Sequence, residues 1–535
     1  MRKSIYVLVV GLVTTGLLLA ACARPEQTPT PTTPSPTGTG TPTPKASPTP
    51  TPTPTGAPQY GGILRVASQN APRSLIPEIN TIKNWFMQPT YDTLLRLDEK
   101  GDLGPNLATD WKLSADNKSL TLTLRKGVKF HNGTDFNAEA VKWAIQTKQA
   151  AKLGDYPGVE SVDVIDDYTV RLNLSVFQNT LFSSLWYLAG LMHSPTAYQK
   201  DGRDRAQFNP VGTGPFKFVR YDSSALVKWE RFDGYWQKGK PYLDGFEQLI
   251  IADPTTRELA LRKGEIHAAE ALTAKVVSQL EEEGWPIIKA PAETYNVFVP
   301  DSANADSPFA NKKVREAVEH AIDRAAVAKA LGYGLQEGLT QMTPSGTYAY
   351  VPDIKGREYN PVKAKQLRAE AGYPYGFKTT LLTRDTLAEA LVAAQGFLRE
   401  VGIEATVDVA DAGRFVTLTQ QGWKNMLVYR AFRVPPDWLQ FAYTYVSPKT
   451  LESKSMLRPA GFEDLLQTAL LAPDMASKKT ASQAVIKTIY DEAMVVPLWA
   501  SLSTLPYAKN VNNIGYYVPW GQNKLWGPSD VWLSK

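Results

Sequence analysis

The stretch 24–58 decides how much of this 535-residue chain can fold at all. It holds 12 Pro and 12 Thr in 35 positions, and "TPTPKASPTPTPTPT" is its purest part. Proline fixes φ and removes backbone donors, and almost no apolar side chain is present to offset chain entropy. The sequence therefore predicts a disordered segment of polyproline II character, with an extended reach of roughly 100 Å at about 3.1 Å per residue. Its threonines are candidates for O-glycosylation. Folding is confined to about 59–535. Hydrophobic residues are 43% of the whole chain even with this tract diluting them, so large cores are available. At this length two or three domains are expected rather than one core.

Ahead of the tract stands Cys22, the only cysteine. One thiol makes no internal disulfide, and it does not supply the pairs a structural zinc site uses. Arg2 and Lys3 form a short positive region, 5–19 is mostly apolar, and the small Ala20 and Ala21 precede Cys22. Leu-Ala-Ala-Cys resembles a bacterial lipobox, in which the thiol is lipidated and cleavage leaves Cys22 as the first mature residue. The expectation is a lipoprotein signal over 1–21 and a lipidated cysteine with its tether over 22–58, several acyl chains holding the protein at the membrane. The alternative is an ordinary secretory signal with an incidental cysteine. Either way the protein is exported. With lipid it sits on the outer face of the cell membrane, or on the periplasmic side where there are two membranes. The formal charge of +5 becomes +3 once Arg2 and Lys3 leave, and no basic stripe with interleaved aromatics occurs, so nucleic acid is not an expected partner.

Within 59–535, strands and helices alternate. "GGILRVAS" (61–68) reads as a strand ending in Ser68, Gln69 and Asn70. The region 91–133 is rich in hairpin signals, with strict alternation in "SLTLTLR". A helix is predicted over 137–149, a hairpin over 159–174, a Gly/Pro-punctuated loop entering a strand over 209–222, and a helix leading into a strand over 253–269. The second half predicts one amphipathic helix over 311–331 and another over 360–373, the latter with Asn360 as N-cap, Pro361 at its first position and Gly372 as its stop. "KTTLLT" (378–383), 387–402 and "IEATVDVA" (403–410) form a βαβ-like unit, which implies an α/β fold with crossover helices. In such sheets the carboxyl ends of the strands face a crevice, and Thr383-Arg384 lies there.

Four segments in order resemble the extracellular solute-binding proteins of ABC importers, the family of dipeptide-, oligopeptide- and nickel-binding proteins. They are "LTLRKGVKFHNGTDFNAEAVKWA" (122–144), "NPVGTGPF" (209–216), "NKKVREAVEHAIDRAAVAKAL" (311–331) and "YNPVKAKQLRAEAGYP" (359–374). The resemblance covers 59–535. It implies a bilobal fold of the periplasmic binding protein type II kind with an additional domain, mixed sheets and a hinge. Lobe I would comprise 59–87, 210–300 and 495–535, the additional domain 88–209, and lobe II 301–494. A small solute or peptide would bind between the lobes, and the closed form would engage the permease subunits of the importer. The protein is expected to act as a monomer, without a cofactor.

In peptide-binding members an aspartate of a Trp-x-x-Asp-Tyr-x-Asp-Pro-like segment pairs with the ligand's ammonium. The matching stretch here is "MLVYRAFRVPPDWLQF" (426–441), which puts Phe432 at that position and Arg433 beside it. Arg433 would oppose a cation and favour an anionic or hydroxyl-rich ligand, or else it is a solvated surface arginine. Asp437 would take the aspartate's place with a shift of register. Arg384 stands close to where the dipeptide-binding member carries an arginine for the peptide carboxylate, a fit for a planar guanidinium, with pairing to Asp385 or Glu389 as its alternative. Trp438, Tyr443 and Tyr445 offer aromatic faces for a ligand or for the core, and Ser68, Gln69 and Asn70 are candidates on the opposite edge. His131, His193, His267 and His320 have no metal-ligand spacing. No Gly-x-Ser-x-Gly elbow occurs, so a secreted hydrolase is disfavoured, and an envelope sensor or peptide chaperone on the same fold is the other alternative. The ligand class stays open between peptide and non-peptide solutes.

Overall fold

A computed structural model describes residues 56–79, 87–98, 102–152, 156–223, 225–343, 345, 347–384, 388–433, 437–450, 452–515 and 527–535. The signal, Cys22 and most of the tether lie outside the described residues.

Three sheets organise the fold. The first runs in the order Ala268–Ala269, Ile63–Ser68, Gly245–Ile250, Leu226–Arg231, Phe216–Asp222. Its core gathers Leu64, Val66, Phe216, Trp229 and Phe246 with Ile288, Leu505 and Val531 from distant parts of the chain. The second is an antiparallel sheet in the order Ala108–Leu113, Ser119–Leu124, Thr169–Leu174, Val159–Asp166, two hairpins paired through Ser119–Leu124 and Thr169–Leu174. Alternation in Ser119–Leu124 buries Leu120, Leu122 and Leu124 against the helix Ala138–Ala150, whose Asn137 side chain accepts from the Ala140 N–H. The third runs in the order Gln336–Gly338, Val496–Pro506, Ile287–Pro300, Met426–Arg433, Phe377–Arg384, Ile403–Ala410. One of its faces packs on Phe309, Val314, Leu391 and Leu398, the other on Trp438, Phe441, Leu466 and Ile486. This is the α/β arrangement expected.

The βαβ-like unit forms as read: Phe377–Arg384 and Ile403–Ala410 pair in parallel across the helix Ala388–Glu400. Asn360 caps the helix Pro361–Glu370 by accepting from the Lys363 N–H at 2.9 Å. The helix expected over 311–331 is instead two, Lys312–Ala321 and Arg324–Gly332. Ile322 is extended, and the Asp323 carboxylate accepts from the Ala326 N–H, starting a new helix. Aspartate competes with the helix for backbone donors, so a cap was available where amphipathic spacing alone suggested continuity.

Candidate functional site

Two long strands, Ile287–Pro300 and Val496–Pro506, belong to the third sheet, yet their Ile288 and Leu505 ends sit in the first sheet's core. They fix how the two sheets face each other. Met426–Arg433 runs antiparallel to Ile287–Pro300 with Arg433 opposite Thr294, so its carboxyl end points toward the first sheet. Phe377–Arg384 and Ile403–Ala410 run parallel to it and end on the same edge. Ala268 pairs antiparallel with Tyr507, just beyond Val496–Pro506, so Ala268–Ala269 and the parallel Ile63–Ser68 and Gly245–Ile250 point back toward the third sheet. The carboxyl edges of two open α/β sheets thus oppose one another, the position at which such sheets bind ligands.

On one edge, Ser68 is buried and its hydroxyl donates to the Asn70 carbonyl at 3.4 Å, while Gln69 and Asn70 are exposed. On the other, Arg384 is exposed, and among the described residues its guanidinium has no hydrogen-bond or ion-pair partner. Its neighbour across the strand pair is Ala410, followed by Asp411, which caps the helix Ala412–Gln421. Asp408 takes a two-pronged contact from Arg414, 2.8 and 2.5 Å, and this pairing holds its carboxyl below the usual range. The backbone of Arg433 closes Met426–Arg433, and its side chain is outside the described part.

Phe432 points away from this edge. It is buried against Phe441 and Tyr445, ring centroids 5.5 and 4.9 Å away, under the Arg430 guanidinium at 4.9 Å. Arg430 is held there by Glu452 at 2.5 Å. Trp438 is fully buried and donates its indole N–H to the Met342 carbonyl at 3.1 Å. Tyr443 is exposed at the surface and Tyr445 is half-buried against Phe432. Asp437 is 3% exposed. Its carboxylate accepts from Lys478 Nζ at 2.5 Å, Tyr348 OH at 2.6 Å, Ser183 Oγ at 2.7 Å and the Leu439 N–H at 3.0 Å. Burial pushes its pKa up, but the Lys478 ammonium and these hydrogen bonds outweigh that and leave it lowered. Lys478, Tyr348 and Ser183 carry no local sequence signal for this cluster, since they join Asp437 from 41, 89 and 254 positions away. Of the predicted residues, the strand ends bring Ser68, Gln69, Asn70, Arg384 and Arg433 to the facing edges, while Phe432, Asp437 and Trp438 are gathered inside the six-stranded body.

Residues 102–453 match the family profile of the bacterial extracellular solute-binding proteins, family 5. The chain belongs to this family. It is 31% identical over 457 residues to the glutathione-binding protein GsiB of Shigella flexneri, covering 82% of this chain and 88% of that protein. The same identity and coverage hold for GsiB of Escherichia coli strain K12. Among solved structures, the ABC transporter-associated periplasmic binding protein DppA from Helicobacter pylori, in complex with peptide STSA, superposes with a TM-score of 0.72 at 26% identity, over 89% of this chain and 99% of that one. NikA from Brucella suis, in complex with Fe(III)-EDTA, shares the fold with a TM-score of 0.79 at 21% identity, over 88% and 100%. This family member is therefore an exported binding protein with a bilobal fold. It captures a solute between its lobes for an ABC importer, and its family is one of receptors rather than enzymes.

Proposed function

We propose that this chain is a lipid-tethered, monomeric receptor for a small carboxylate-bearing solute, held between the facing sheet edges and presented to importer permease subunits. The observation that carries this reading is the exposed guanidinium of Arg384 at the carboxyl edge of the six-stranded sheet, without a partner among the described residues; Asp385 and the Glu389 side chain lie outside them. A free guanidinium in a closing cleft suits a carboxylate through two parallel hydrogen bonds. The position where peptide-binding relatives carry an aspartate holds a buried phenylalanine, and the nearby Asp437 already has four donors. An ammonium finds no free carboxylate at either residue, which favours an anionic anchor. Short acidic peptides of the glutathione kind are the first compounds to test, given the name of the relatives. Ser68, Gln69 and Asn70 would meet the ligand's polar groups from the other edge, with Arg433, at the end of the strand next to that of Arg384, as a further candidate.

The test has two steps. The purified chain is denatured and whatever it releases is identified by mass spectrometry. Calorimetric titration with that compound then compares Arg384→Ala and Arg384→Lys. A carboxylate ligand should bind about 10–100-fold more weakly to Arg384→Ala, with Arg384→Lys between, because lysine keeps the charge and loses the fork. Release of a cationic or uncharged compound alone, or an affinity indifferent to Arg384→Ala, overturns the reading. For the anchor, Cys22→Ser in a bacterial host should move the protein from the membrane fraction to the soluble exported fraction. Retention in the membrane fraction rejects lipidation at Cys22.

A further inference from the structure

The four-stranded body is spliced into the five-stranded one, since the chain enters it after Ile63–Ser68 and leaves it into Phe216–Asp222. Its sheet has no strand in common with the six-stranded sheet, yet the two bodies touch. The Asn179 N–H donates to the Leu470 carbonyl at 2.8 Å, and its side-chain amide donates to the carbonyls of Ala469 and Ala472 at 2.7 and 3.1 Å. Those acceptors are the last carbonyls of the helix Phe462–Leu470 and the turn beyond it, groups a helix cannot satisfy by itself. One turn along, Ser183 donates to Asp437 at 2.7 Å. Asn179, Ser183 and Asp437 are all more than nine-tenths buried. The donor segment is stiff: buried Lys148 donates to the carbonyls of Leu188, Ala189 and Leu191, and Tyr156 OH donates to that of Ala189.

We propose that Asn179 and Ser183 are a latch that holds the two lobes closed even without solute, with the end of Phe462–Leu470 and the Asp437–Lys478 pair as its keeper. None of these residues lies on the strands that cross between the lobes, so a rotation about Ile287–Pro300 and Val496–Pro506 that separates the two bodies breaks these contacts. Every partner in the contact is protein, so the latch needs no ligand to form. It also lies close to the binding edge along the chain. Asp437 follows Arg433 by four positions and caps the helix Trp438–Tyr445. Asp437 acts here as a positioning residue, not as a ligand contact.

The chain has one cysteine, so Cys22→Ala in the full chain gives a clean background for spin labels at Glu160→Cys and Lys365→Cys, both exposed and on the two bodies in question. Solute is stripped by unfolding and refolding, and the label-to-label distance distribution is read by pulsed electron resonance. The unsubstituted latch should give a populated short-distance, closed component. Asn179→Ala with Ser183→Ala should lower the closed-to-open ratio by about a hundredfold, because a hydrogen bond to a charged group and a buried amide cap are both lost. Should the pair of substitutions fail to fold, Ser183→Ala alone should lower the ratio about tenfold. A wholly open distribution with the latch intact, or the same distribution with and without it, overturns the proposal. This readout needs no solute, so it is independent of the identity of the ligand.

Discussion

His131 shows how one side chain can set a pH limit on a fold. Its Nε2 donates to the Gly214 carbonyl at 2.9 Å while Nδ1 accepts from the Gly212 N–H at 3.4 Å, a pairing that fits the neutral ring only. Burial holds its pKa down at about 4. The unfolded chain takes up a proton near the ordinary value of about 6.5, the folded chain refuses it, and stability is therefore lost as pH falls from there toward 4. Urea unfolding at pH 7 and pH 4.5 should differ by as much as about 2 kcal/mol from this group, discounted for the ring's partial exposure, and His131→Gln should remove most of that difference. Asp437 has the same sign in a lower window. Its folded pKa is depressed, so its contribution is present above the ordinary carboxylate value and is lost as pH drops through the depressed one. Asp437→Asn leaves the Lys478 ammonium buried without its charge partner and should cost about 3–5 kcal/mol. Replacing both, as Asp437→Leu with Lys478→Met, should cost less than that single change; if it costs more, the pair is not the buried ion pair described. The place of Arg384 at a strand end was legible from sequence, because a strand ending in a polar residue announces its own edge. Lys478 was not: it shares the buried face of its helix with Ser482, Val485, Ile486 and Ile489, but its partner Asp437 is 41 positions away and leaves no local signal.

At the scale of elements, period and cap decided most of what could be read. The strands Ser119–Leu124 and Thr169–Leu174 alternate, and the helix starting at Pro361 carries Asn and Pro where a helix start wants them. Asn360→Ala should cost about 1 kcal/mol, read as a lower urea midpoint at unchanged slope. The parallel pair of the βαβ unit depends on a tight approach at its entrance. Gly376 has φ +90°, and a Cβ there would lie 2.0 Å from the Gly402 carbonyl oxygen. Gly376→Ala should therefore destabilise by about 2–4 kcal/mol, and an unchanged midpoint would show that this entrance relaxes freely. Misreading 311–331 as one helix has a physical origin: both halves bury faces in the same core, so the apolar period carries across the break at Ile322. Pro473 marks where Phe462–Leu470 stops, but nothing local marks what satisfies its last carbonyls, because that cap is Asn179 from another body.

At the scale of the molecule, separate cores under three sheets are tied, among the described residues, by two crossing strands, by hydrogen bonds such as Trp229 to Thr90 and His131 to Gly214, and by the lateral contact at Asn179 and Ser183. Such bodies are expected to unfold in more than one step when stripped of solute, with a calorimetric enthalpy exceeding the van't Hoff value. A solute bound between the lobes couples them, and the ratio should approach one as it saturates. A ratio of one without solute would mean that the crossing strands and the latch already bind the bodies into one cooperative unit. The sequence by itself determined the α/β class and much of the order of elements, because each of these rests on composition, period or caps within a few dozen residues. Family membership was readable for the same reason, in four short segments. Only the tertiary structure decided that Phe432, Asp437 and Trp438 turn inward, that Arg384 is exposed at the sheet edge, and that a serine 254 positions away meets Asp437. Those facts depend on how the sheets hang on Ile287–Pro300 and Val496–Pro506, and no local pattern encodes the angle between two bodies joined by a pair of strands.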